Sequence, residues 1–99
     1  MPEWTKEGTT VLDGTTLKAL QIAMHDFMPP GTVPPKDADA MSICLHKWET
    51  FDAWVRRGDG MTFINFTPKE SERCGLSTFV MDPGAAYAVS DDGVILRRD

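Results

Sequence analysis

The sequence predicts an α+β fold in which two N-terminal helices pack on a C-terminal four-stranded antiparallel meander. Three observations carry this expectation. Residues 15–28 place apolar side chains at helical spacing, residues 37–57 combine a helical stripe with matching end charges, and residues 61–98 alternate strand formers with turn clusters. The 99 residues suffice for one core. Residues 1–14 read as an N-terminal arm and residues 15–99 as a single domain.

The arm holds two turn-type clusters, Glu7-Gly8-Thr9-Thr10 and Asp13-Gly14. Its Trp4 is expected to dock on the domain or on a neighbouring subunit, because an indole is rarely left free. The first helix spans 15–28, with the hydroxyl of Thr15 or Thr16 as cap. Leu17, Leu20, Met24, Phe27 and Met28 form its apolar face, Lys18, Gln21 and His25 lie opposite, and Pro29-Pro30 stops it. Residues 28–35, with two Pro-Pro pairs, form a rigid spacer.

Residues 37–57 are expected to form the second helix. Asp37 would cap it, Arg56 and Arg57 would complement the dipole at its end, and Gly58 would supply the C-terminal left-handed residue. Met41, Cys44, Leu45, Trp48, Phe51 and Val55 would form its stripe. The competing reading makes 41–46 a strand and starts a shorter helix near Glu49.

The strands follow. Met61–Thr67 is apolar on both faces, which suits a central or interface strand. Ser77–Met81 is the next strand, Asp82-Pro83-Gly84 a type II turn, and 85–90 another strand. Ser90-Asp91-Asp92-Gly93 turns into Val94-Ile95-Leu96, and Arg97-Arg98 discourages pairing beyond the sheet edge. The expected core comprises Leu20, Met24, Leu45, Trp48, Phe63, Phe79 and Val80.

No phosphate loop, dinucleotide fingerprint, nucleophile elbow or His-Glu-x-x-His is present, so neither an enzyme nor a cofactor is expected. Cys44, His46, Cys74 and His25 lack the tight spacing of a zinc site, and no metal is expected. The polar, acidic N-terminus lacks a basic start and an apolar run, which leads to a cytoplasmic address and to free thiols at Cys44 and Cys74. No stretch approaches the apolar length of a transmembrane helix.

Fifteen acidic and ten basic side chains give a net charge of −5. With no basic face, direct nucleic-acid and anionic-membrane binding are disfavoured, and a protein partner with a basic surface is favoured. The expected partner-binding residues are Trp54, Glu70, Glu72, Asp82, Asp91 and Asp92. Trp54 lies beside Arg56 and Arg57 in a hot-spot composition, and Glu70 and Glu72 lie in the longest polar connection of the second half. Asp82, Asp91 and Asp92 lie at turns, where aspartate serves local hydrogen bonding; gathered at one end of the sheet, they would hold a divalent cation or do acid–base work.

The class that results is a small acidic intracellular protein-binding module. It is comparable in size and charge to immunity proteins, antitoxins and phage-encoded inhibitors that act on nucleic-acid-acting complexes. The alternatives are a homo-oligomeric structural component and a small-ligand-binding or hydrolytic protein.

Overall fold

The computed structural model describes residues 3–5, 7–75 and 84–99, with 70 and 71 described by their backbone alone. Its first helix, α1, spans Gly14–Phe27 and starts one residue before the expected span of 15–28. The cap is Asp13, whose carboxylate accepts from the Thr16 N–H at 2.8 Å. A carboxylate there satisfies an orphan donor and also meets the positive end of the helix dipole, an advantage that a neutral hydroxyl lacks. The Met28 N–H closes the far end on the Met24 carbonyl at 2.9 Å.

The expected second helix over 37–57 does not form as one element. Instead, α2 spans Ala40–Leu45, a 3-10 turn spans Trp48–Thr50, and β1 spans Phe51–Gly58. Asp39 caps α2, accepting from the Ser42 N–H at 2.8 Å. The competing reading, a strand over 41–46 and then a helix, is also overturned: helix and strand occur in the opposite order. The physical reason is non-local. Every residue of β1 pairs with β2, Met61–Pro68, and eight residues of antiparallel ladder outweigh end charges on an isolated helix. Gly58 is therefore no helix cap. Asp59 and Gly60 form the two-residue hairpin loop, with φ of 54° and 71°, as a type I′ turn requires.

After β2 come α3, Glu70–Arg73, then β3, Ala85–Ser90, and β4, Ile95–Arg98. The four strands form one antiparallel sheet in the order β1-β2-β3-β4. The expected strand 77–81, the residues Asp82 and Pro83 of the expected turn, and the side chains of Phe79 and Val80 lie outside the described residues. Among the described residues the architecture is one long helix, short helical elements and a four-stranded antiparallel sheet, an α+β mix in which β1 takes the place of the end of the expected second helix.

The turn at 90–93 forms as expected. The Ser90 N–H donates to the Val94 carbonyl at 2.8 Å and the Gly93 N–H to the Ser90 carbonyl at 2.9 Å. Gly93 has φ +89°, a backbone conformation that favours glycine, and it lies against the Lys18 side chain.

α1 lies on one face of the sheet through Thr16, Ala19 and Ala23, which are small enough to let the helix approach closely. Phe51, Ile64, Phe66, Ala85, Tyr87 and Val89 supply the sheet side of the core. Phe27 stacks on Phe66 with ring centroids 5.1 Å apart, and Trp48 lies 5.4 Å from Phe66. Leu20, Met24, Leu45 and Trp48 are partly buried against this cluster. One core expectation fails, since Phe63 lies on the opposite face of the sheet; Leu17, expected on the apolar face of the first helix, is exposed. Trp4 does not dock on the domain either; it is 76% exposed.

Cys44 and Cys74 form a disulfide with Cα atoms 6.0 Å apart, which overturns the expectation of free thiols. The reason is again tertiary: the ends of α2 and α3 meet beside the 3-10 turn. Thr50 sits between them, its hydroxyl donating to the Cys44 carbonyl at 2.6 Å. Arg73 adds a tie, pairing with Asp52 at 2.7 Å and donating to the Phe51 carbonyl at 3.1 Å. No helix among the described residues is long and apolar enough to cross a membrane.

Candidate functional site

Strand alternation divides the sheet into two unequal faces. Ile64 and Phe66 of β2 point to the core, so Phe63 and Asn65 point away from it. The ladder then sets their neighbours. One row across the outer face runs Trp54, Asn65, Ala86; the next runs Arg56, Phe63, Ala88, Arg97. Asp99 extends the first row, because its N–H and carbonyl bond to Ala86 at 2.8 and 3.0 Å. Ala86 and Ala88 form a low floor between larger walls, and the result is an open groove of about 670 Å³ lined by Trp54, Phe63, Arg97 and Asp99 among others. Trp54 is 65% exposed and Phe63 39%.

The electrostatics of this face differ from the molecule's acidic average. Arg97 pairs with Asp99 at 3.0 Å, while Arg56 makes no ion pair among the described residues. The face offers indole, phenyl, methyl and guanidinium groups, which suit non-covalent burial of a partner surface.

The six expected partner-binding residues do not converge. Trp54 lies on the outer face, on the edge strand β1. Glu72 is exposed on α3, beyond the Phe51–Pro68 end of the sheet, whereas Asp91 and Asp92 lie in the β3–β4 turn at the other end. Asp91 is engaged: Arg57 pairs with it at 2.6 Å and also donates to the Thr62 hydroxyl at 2.7 Å. That hydrogen bond holds the Asp91 carboxyl below its ordinary value and raises the Arg57 guanidinium. Asp92 is exposed. Glu70 belongs to α3 by its backbone, and Asp82 lies outside the described residues.

The residues that sequence reasoning missed here are Phe63, Arg56, Arg97 and Asp99. The one signal available was the two-faced apolar pattern of 61–67, which already admitted an interface strand.

A second cluster ties helix to sheet on the covered face. The Tyr87 hydroxyl donates to Oδ2 of Asp26 at 2.8 Å, and Arg98 pairs with the same oxygen at 3.2 Å. The Arg98 guanidinium also lies 5.5 Å from the Tyr87 ring centre. Burial, helped by the Asp26 hydrogen bond, pushes the Tyr87 phenol up to about 12. A phenol held neutral in this way is a clamp between α1, β3 and β4. A smaller groove of about 550 Å³ runs along α1, lined by Leu17, Met24, His25 and Trp48 among others. Among the described residues, no group of three or more His, Cys, Asp or Glu side chains could hold a metal ion.

Comparison with known protein families, with curated proteins and with solved structures returns no match.

Proposed function

We propose that this chain works by binding protein, and that the outer face of its sheet is the docking surface. One observation carries this reading: Trp54 on the edge strand β1 and Phe63 on the inner strand β2 stand exposed on the outer face of the sheet and line one groove with guanidinium groups around them. An exposed indole flanked by arginines has the composition of an interface anchor, and a scattered surface apolar residue does not form a groove.

The finer reading is an inhibitor-type module that acts in the cytoplasm on a nucleic-acid-acting protein complex with a basic surface. Its support is the charge of −5 and the exposed carboxylates of Glu72 and Asp92, which lie at the two ends of the sheet, off the arginine-bearing outer face. The disulfide bears the other way on the compartment, since such bridges persist mainly where the surroundings are oxidising.

The test is affinity capture with the wild type and with Trp54→Ala, followed by binding kinetics on what is captured. Trp54→Ala is expected to speed dissociation at least tenfold while the circular dichroism spectrum is unchanged, because a buried aromatic anchor acts on dissociation. A partner held equally well by Trp54→Ala, or substrate turnover by the purified protein, overturns the reading.

A further inference from the structure

We infer that the partner this face fits is a second copy of the chain, laid sheet on sheet about a two-fold axis that crosses the strands between the two outer rows. The inference rests on the docking-face reading and adds an occupant and an orientation to it.

A two-fold interface must be complementary to itself. An in-plane axis across the strands keeps each strand over its own copy and turns one row onto the other. The register makes those rows complementary at the charged and the small positions. Trp54 meets the partner's Arg56, a cation over an indole. Asp99 meets the partner's Arg97, so that the two intrachain pairs join into a ring of alternating charge. Ala86 meets the partner's Ala88, and these small side chains let the sheet centres approach. Asn65 meets the partner's Phe63. The flanking rows add no conflict, since Asp52 falls over the partner's Gly58 and Thr67 over its Met61.

The other in-plane axis, along the strands, fails on charge. It would set Arg56 on the partner's Arg97 and Trp54 on its Asp99, and like charges directly opposed are costly. The charge pattern therefore selects one orientation. Aligned sheets cross at about 30°, which displaces the outer strands by roughly 4 Å for strands about 4.8 Å apart, within the reach of arginine and tryptophan. Four strands of about six residues present a face of roughly 19 by 20 Å. That is small for a stable interface, so association is expected at micromolar rather than nanomolar concentration.

The experiment is sedimentation velocity across a concentration series, with Arg97→Asp and Asp99→Arg measured alone and mixed. Both side chains are largely exposed, at 74% and 60%, so the fold tolerates either change, and circular dichroism checks this. The wild type is expected to dimerise. Each variant alone should raise the dissociation constant at least tenfold, because four like charges then face one another. Their equimolar mixture should regain a dimer, because each chain supplies the charge the other lacks. A dimer that neither variant weakens, or a mixture no tighter than its components, overturns the inference. So does a wild type that stays monomeric throughout. In that last case Trp54→Ala separates the two levels: if it still loses a captured partner, the docking face stands and only the second copy is excluded. If it loses nothing, the docking reading falls as well.

Discussion

Tyr87 shows how one side chain links burial, charge and stability. Its hydroxyl donates to Asp26 across the helix–sheet seam, and its ring lies under Arg98. Folding retains the phenolic proton to about pH 12, against an ordinary value of 10.0. A group whose folded value is raised contributes stability that is fully present below the unfolded value and lost as pH climbs through the folded one. The expected outcome is a tyrosinate absorbance titration with a midpoint near 12, accompanied by loss of structure. Tyr87 is the only tyrosine, so the signal is unambiguous. Tyr87→Phe should lower stability by about 1–2 kcal/mol in urea denaturation, since it removes a hydrogen bond to a charged acceptor but keeps the ring. A midpoint near 10 would mean that the hydroxyl is not held.

At the scale of elements, the disulfide does what the short helices cannot do alone. α2 has six residues and α3 four, too few for either to persist without tertiary support. The Cys44–Cys74 bridge spans 30 positions of chain and ties both to the 3-10 turn and the start of β1. Closing a loop of that length removes unfolded-state entropy worth roughly 3–4 kcal/mol. Thiol labelling in denaturant without reductant should therefore count zero free thiols. Reduction should lower the denaturation midpoint by an amount equivalent to that figure. A count of two would restore the free-thiol expectation and with it the argument for a reducing compartment.

On the scale of the whole molecule, the described residues cover one face of the sheet and leave the other open, and β2 carries large apolar residues on both. Phe66 lies in the core against Phe27, Trp48 and Tyr87, while Phe63 and Trp54 face outward. Phe66→Ala should cost about 3–5 kcal/mol, because it leaves a cavity among packed rings. Trp54→Ala should change monomer stability by less than about 1 kcal/mol, because an indole this exposed gives up little burial. Chemical denaturation of the two variants at a concentration below any association checks the contrast. Equal losses would mean that the outer face is part of the core.

What the sequence determined by itself was local. α1 was legible from its 3.6-residue spacing and its proline stop, within a residue at either end. The 90–93 turn was legible from Asp-Asp-Gly, and the two-sidedness of 61–67 from alternation. The Asp59-Gly60 hairpin was equally written in the chain, but it was hidden by reading Gly58 as a helix cap. Residues 51–58 satisfy a helical stripe and a strand alternation alike. Only pairing with β2, which no single segment contains, decided between them. The bridge between Cys44 and Cys74 depends on two helix ends meeting 30 positions apart. The outer face depends on register, which places Arg56, Phe63, Ala88 and Arg97 side by side from four strands, with Trp54 in the next row. Backbone propensity and caps act within a few residues, whereas burial, pairing and charge complementarity act between segments. The tertiary structure therefore decided which face the protein leaves open.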